Sequence, residues 1–370
     1  MKVLHLISSG GMYGAESVIL NLSHALNAGQ HQSVIGSFAN ASNPNLQLHE
    51  RATAEGIESH LVPCQGQMDR AAIAKVRELA AQVGADVIHA HGYKADLYAH
   101  FAVNGRVPLV STCHNWLDDD LKARLYGVAD RFVLRRYGRV VAVSDAVRDR
   151  LLQAGVPAEK VRQIRNGINL HPYTEAVPSV RTELGDGPIV GVIARLSQEK
   201  GVDVFLRAVP SVLAEVPEAK FVVVGDGPDR EKLTALIAEL GIGASVSMLG
   251  RRDDMPSVYA SLDVMVSPSR LEGLPMAILE GMASGRALVA TAVGAVPTVV
   301  ADDRTGVLVA AEDERALANA IVGLLRDPVR RQRLGAAARK LMEDEFSAER
   351  MAEDYLRVYA EAIDARGVKR

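Results

Sequence analysis

Short apolar runs alternate with stretches of helical period along nearly the whole chain, and few folds can absorb that order. In the first half the runs are Val3 to Ile7, Ser33 to Ser37, Val87 to His89, Leu109 to Thr112 and Val140 to Val143, separated by helix-period segments such as Ala15 to Asn27 and Ala71 to Ala81. Short strands each followed by a helix's worth of chain read as βαβ units of a parallel sheet. The second half repeats the pattern with Ile189 to Ala194, Phe221 to Val224, Val246 to Leu249, Val264 to Val266, Ala287 to Ala290 and Gly306 to Val309. A length of 370 residues is long for one core and comfortable for two. The expectation is an α/β protein of two doubly wound domains, spanning 1–171 and 188–347. Residues 172–187 are expected as a linker, because Pro172, Pro178, Gly185 and Gly187 interrupt any period. Past Glu312 the pattern is helical, in Arg315 to Arg326, Val329 to Glu343 and Ala348 to Ala365.

Composition excludes several classes. With 48% apolar and 24% charged residues the chain reads as globular, and a net charge of −3 gives no global attraction to nucleic acid, so any anion must be bound locally. Two cysteines, Cys64 and Cys113, make no disulfide framework and suit a reduced, cytoplasmic setting. Met1 to Ile7 reads as a strand rather than a signal peptide. The longest uncharged run, Ala287 to Ala301, carries Gly294 and Pro297 and is too short to span a bilayer. Cys113 beside His114 is expected as a small buried residue at a strand end, not a nucleophile.

The chemistry concentrates in the second half. Glu272 and Glu280 bracket Gly273-Leu274-Pro275 and the first turns of a helix. Such a loop offers free backbone N–H groups, Pro275 suits the first helical position, and a helix N-terminus presents positive potential to a phosphate. Glu272 is placed to accept hydrogen bonds from sugar hydroxyls, and Glu280 those of a ribose. The anion's counter-charges are expected from Arg195 and Lys200, just past the strand ending at Ala194, since open α/β sheets bind ligands beyond the carboxyl ends of their strands. A dinucleotide-dependent oxidoreductase fits less well. Gly10, Gly11 and Gly14 miss the G-x-G-x-x-G spacing, and no carboxylate follows the second strand at Phe38-Ala39-Asn40.

Across nearly its whole length the chain resembles the family 4 retaining glycosyltransferases of the GT-B fold. The resemblance rests on Gly11-Met12-Tyr13-Gly14-Ala15-Glu16, His89-Ala90-His91-Gly92, Val143 to Val147, Asn166-Gly167-Ile168-Asn169, the Arg195/Lys200 and Glu272/Glu280 elements, and Val224 to Pro228. At Gly11 to Glu16 the chain departs from the family's tighter Gly-Gly-Ala-Glu by inserting Met12 and Tyr13. The resemblance implies two Rossmann-like domains facing a central cleft, with the last helix, 348–370, packing back on the first. It implies a nucleoside-diphosphate sugar as co-substrate, no cofactor, and transfer with retention to a glycan or lipid-linked acceptor in polysaccharide or lipopolysaccharide biosynthesis. On the same basis Gly14, Arg195, Lys200, Arg251, Gly273, Leu274, Pro275 and Glu280 would contact the donor, and His114 and Glu272 would be catalytic. Two alternatives stand beside it: a sugar-nucleotide-binding protein without turnover, and a GT-B-fold nucleotide-sugar epimerase.

Three further features are ambiguous in sequence. Asp118-Asp119-Asp120 matches a metal-binding Asp-x-Asp, yet it precedes the helical stretch Leu121 to Arg136 and is read as its acidic N-terminus, so no metal is expected. Segment 121–139 carries six basic residues and an apolar stripe, which suits either peripheral contact with the inner membrane face or an ordinary solvated helix. His89 and His91 are expected on opposite faces of their strand, with at most one lining a site.

Overall fold

The computed structural model describes residues 1–12, 14–41, 44–66, 69–103, 105–114, 132–273 and 276–367. Two compact units divide the chain: residues 1–169 with the C-terminal helix from Ser347 onward, and Leu170–Phe346. The Asp118-Asp119-Asp120 triplet and most of the basic segment lie outside the described residues.

In the first unit seven parallel strands run β3-β2-β1-β4-β5-β6-β7, where β1 is Lys2–Ile7, β2 Gln32–Asn40, β3 Glu58–Cys64, β4 Val87–His91, β5 Leu109–Cys113, β6 Arg139–Ala142 and β7 Val161–Gln163. Central strands β4 and β5 are buried at every position, as a sheet covered by helices on both faces requires. The two strands absent from the sequence reading, β3 and β7, are the sheet's edges. Each is covered incompletely, and β3 carries Pro63, which an edge tolerates because one side of its backbone goes unpaired.

The second sheet has six parallel strands in the order β10-β9-β8-β11-β12-β13, with β8 Ile189–Ile193, β9 Lys220–Val224, β10 Val246–Gly250, β11 Val264–Ser267, β12 Ala287–Thr291 and β13 Val307–Val309. Its core joins Val190, Val192, Phe205, Phe221, Val223, Val264, Val289 and Ile321. The expected linker is part of this unit. Helices His171–Thr174 and Arg181–Leu184 lie within it, Val180 is fully buried, its N–H donates to Ser261 Oγ at 3.0 Å, and Arg181 pairs with Asp263 at 2.6 Å. Its prolines and glycines punctuate short helices and do not detach the segment.

The C-terminal helix Ala348–Gly367 completes the first unit. It packs on the helix Gly14–Ala28 and on β5 and β6. Tyr359 Oη lies 2.8 Å from His89 Nδ1, Tyr355 Oη lies 2.9 Å from Thr112 Oγ1, and Glu361 pairs with Arg139 at 2.6 Å and Arg162 at 2.8 Å. Two basic residues of segment 121–139 are thereby turned to the protein: Arg139 to Glu361, and Arg135 to the carbonyl oxygens of Gly155 and Ala154. Arg136 lies over the exposed ring of Phe132. Among the described residues no helix is long and apolar enough to cross a membrane.

Tyr359→Phe removes the hydroxyl that meets His89 and leaves a ring nitrogen bare in the core, a loss of about 1–3 kcal/mol. Tyr359→Ala adds a cavity and should cost roughly 3–5 kcal/mol. Urea midpoints of the two variants check this, and an unchanged midpoint for the phenylalanine variant would show that the hydroxyl contributes nothing.

Candidate active site

Strands β8 and β11 are neighbours in the second sheet, but the chain leaves them in opposite directions, to β9 and β10 on one side and to β12 and β13 on the other. Such a switch point opens a crevice between the two outgoing loops. Here the loops are 194–201 and 268–275, and they hold most of the expected donor contacts.

Arg270 stitches them together. Its N–H and that of Leu271 donate to the Glu199 carbonyl at 2.8 and 3.3 Å, and its guanidinium donates to Gln198 O at 2.8 Å, to both carboxylate oxygens of Asp203 at 2.7 and 2.9 Å, and to Glu312. The bonds from Arg270 hold the Asp203 carboxyl below its usual range despite burial. Backbone approach does the rest, and at two places only glycine allows it. A Cβ on Gly201 (φ +62°) would stand 2.1 Å from the Pro268 carbonyl oxygen, and one on Gly294 (φ +54°) 1.7 Å from that of Glu272.

The stitched loops bring Lys200 and Glu272 into contact. Lys200 Nζ donates to both oxygens of Glu272, at 2.7 and 2.9 Å, and Ser269 Oγ donates to Oε1 at 2.7 Å. The Glu272 side chain is 6% exposed and that of Lys200 23%, so the pair is largely dry and still open at the lysine end. Arg195 is exposed on the first loop and makes no ion pair among the described residues. Glu199 feels the positive charge of both Lys200 and Arg195, although the first cause of its lowered pKa is the bond from Ser197 Oγ at 2.5 Å. Arg251, after β10, is likewise exposed and unbridged among the described residues. Its neighbour Arg252 is spent on Asp254 at 2.8 Å and Glu183 at 3.3 Å.

Glu280 stands apart. It lies in the helix Met276–Ala283, where Tyr259 Oη donates to its Oε2 at 2.8 Å. Burial raises its pKa, against hydrogen bonds from Tyr259 and Tyr173 that pull it down, and burial together with the nearby carboxylate raises that of Tyr259. No direct bond joins Glu280 to the Lys200–Glu272 pair among the described residues. The Gly273 carbonyl accepts from Ala295 N at 3.3 Å, while Leu274 and Pro275 lie outside the described residues. Ser269, Tyr259 and Gly294 have no signal in the sequence reading: Ser269 bonds Glu272 within its own loop, Tyr259 reaches Glu280 from the helix Met255–Ser261, and Gly294 meets the Glu272 carbonyl from the loop after β12.

Two expected site residues belong to the first unit. Gly14 opens the helix Gly14–Ala28 and is exposed. His114 directly follows β5, half-buried, with burial lowering its pKa to about 4. The expectation for His89 and His91 is corrected here. Residues two apart on a strand share a face, and their rings lie 4.1 Å apart on the same side, beside His5. Both are buried.

Breaking a mostly buried pair at one end strands the other charge, so Lys200→Met should lower unfolding free energy by about 3 kcal/mol, and adding Glu272→Gln should restore most of it. Purely additive losses in the thermal or urea data of the double-mutant cycle would contradict this. Glu280 carries an opposite-signed effect. An unfolded glutamate releases its proton near 4.5, whereas the folded one holds it to higher pH, so stability falls as pH rises through that window. Glu280→Gln should flatten this decline and raise the Tm at pH 7 relative to wild type, as differential scanning calorimetry from pH 4 to 8 would test.

Comparison with known proteins covers both units. The family model for Glycosyltransferase Family 4 matches residues 12–171, and that for Glycosyl transferases group 1 matches 187–327. Alpha-maltose-1-phosphate synthase of Mycolicibacterium smegmatis is 31% identical over 308 residues, 74% of this chain and 79% of that protein. The GDP-mannose-dependent alpha-(1-6)-phosphatidylinositol monomannoside mannosyltransferase of the same organism is 32% identical over 227 residues, 56% of this chain and 59% of its own length. Among solved structures, Anabaena Alr3699/HepE in complex with UDP superposes with a TM-score of 0.82 at 24% identity, covering 97% of this chain and 100% of that one. With two parallel Rossmann-like sheets and family models matched in each unit, the chain belongs to the family 4 glycosyltransferases of the GT-B fold.

Proposed function

We propose that this glycosyltransferase moves a hexosyl unit from a nucleoside-diphosphate sugar to a glycan or lipid-linked acceptor, with retention of configuration and without a divalent cation. The observation that carries this reading is the Lys200–Glu272 pair at the β8/β11 switch point, with Arg195 exposed and unbridged on the same loop. A diphosphate entering there meets a guanidinium fork and an ammonium, which together supply the positive charge a metal would otherwise bring. Glu272, itself bonded by Ser269 Oγ, accepts both bonds from Lys200 Nζ and so fixes the ammonium on its loop. Glu272, fixed by Lys200 and Ser269, accepts from sugar hydroxyls and stabilises the cation-like sugar of the transition state. The departing diphosphate, neutralised by Arg195 and Lys200, takes the acceptor proton on the face it leaves. Glu280 receives the ribose hydroxyls, and Arg251 lies toward the base. The names of similar proteins support such a donor: one mannosyltransferase is GDP-mannose-dependent, and the Anabaena structure holds UDP.

A thermal-shift panel of uridine and guanosine diphosphate sugars identifies the donor. The one bound should add about 2.7 kcal/mol of stability at a hundredfold excess over its Kd. With that donor, turnover should persist in excess EDTA, Glu272→Gln should lower kcat by roughly 10²-fold or more, and NMR should find the donor's anomer kept in the product. Loss of turnover in chelator that magnesium or manganese restores, or an inverted anomer, would overturn the mechanism.

A further inference from the structure

Three histidine rings of the first unit form one hydrogen-bonded chain across adjacent strands. His5 of β1 meets His91 of β4 through Nδ1 and Nε2 at 3.1 Å, and His91 Nδ1 meets His114 Nε2, after β5, at 3.1 Å. His5 is fully buried, His91 is 4% exposed, and only His114 reaches partial exposure. The far nitrogen of His5, Nε2, has no hydrogen-bond partner among the described residues. His89 lies against His91 with its ring tilted by 40° but is not a link, because Thr112 and Tyr359 occupy its two nitrogens. That leaves too few free nitrogens for the three buried rings to work as a metal centre, and among the described residues no carboxylate bonds to any ring of the chain.

A neutral imidazole has one N–H, so a chain of neutral rings has a single direction. Burial keeps these rings neutral, with His5 lowered to about 3 and His114 to about 4, and His91 well below the ordinary range. Two directions are then open. In one, His114 donates to His91 and His91 to His5, which strands an N–H on His5 Nε2 in the core. In the other, every ring carries its proton on Nδ1, His5 donates to His91, His91 donates to His114, and the orphan is a bare acceptor. Buried N–H groups without acceptors are rarer than acceptors without donors, and the second direction prevails.

We propose that His5 and His91 are positioning residues that hold His114 as the neutral tautomer with its proton on Nδ1, so that the ring meets the substrate as a hydrogen-bond donor. The role of that donor rests on the reading of His114 as a catalytic residue. The tautomer does not.

The test is ring-nitrogen NMR on 15N-histidine-labelled full-length protein, with kinetics alongside. Wild-type His114 should show a protonated Nδ1 and a bare Nε2. In His91→Phe and in His5→Leu the chain is cut, and His114 should become a mixture of tautomers, with kcat falling roughly tenfold and donor KM unchanged. A proton on Nε2 of His114 in the wild type, which needs no variant to fold, would overturn the proposal. So would an unaltered tautomer in a folded His91→Phe or His5→Leu protein. Full turnover in His114→Ala would instead overturn the catalytic reading while leaving the tautomer result standing, so the two failures are distinguishable.

Discussion

A parallel sheet wound outward in both directions from its first strand must part the loops that leave its centre, and this chain builds chemistry at both partings. In the first unit the parting lies between β1 and β4, the strands that carry His5 and His91. In the second it lies between β8 and β11, whose loops carry Lys200 and Glu272. Neither arrangement could be assembled on one strand. Each needs the register of neighbouring parallel strands to align side chains from remote stretches of sequence, and the hydrophobic burial that fixes the register is therefore also what fixes the chemistry.

The polar groups at the two partings are handled in opposite ways. The second unit keeps formal charges in a nearly dry setting by pairing them, with Arg270 and Ser269 absorbing the remaining acceptor capacity of Asp203 and Glu272. The first unit neutralises its buried titratable groups and joins them ring to ring. Paired charges suit a ligand that brings two negative phosphates, since its arrival exchanges one counter-ion for another. Neutral rings suit hydrogen bonding to sugar hydroxyls, where a fixed cation would be costly to desolvate.

How much of this was legible from sequence depended on how far each feature acts along the chain. The apolar runs located all six strands of the second sheet and five of the seven strands of the first. The edges β3 and β7 lack the signal because polar residues interrupt them, Glu58, Ser59 and His60 in one and Arg162 and Gln163 in the other, whereas the second sheet's edges β10 and β13 are mostly apolar. Segment 172–187 read as a linker from its prolines and glycines, but those residues say where helices stop and not whether Val180 is buried. Lys200 and Glu272 were expected at a donor site from their motifs, and their direct contact was not legible, since it depends on Arg270, Gly201 and Gly294 closing two loops. His89 and His91 were misread because residues two apart share a face, and the histidine chain that His91 joins draws its other members, His5 and His114, from positions 109 apart in the sequence, beyond any local period.

The last helix carries a consequence for how the protein comes into being. The first unit is interrupted in sequence by the whole of the second, and its buried His89 Nδ1 and Thr112 hydroxyl meet Tyr359 and Tyr355, more than 240 residues later. On the ribosome, where domains fold as units while the chain emerges, residues 170–346 are continuous and can reach their final state before the helix Ala348–Gly367 has emerged. The domain made first is thus finished last. Until the helix Ala348–Gly367 clears the exit tunnel, the side of the sheet at β5 and β6 stays open to water and to chaperones.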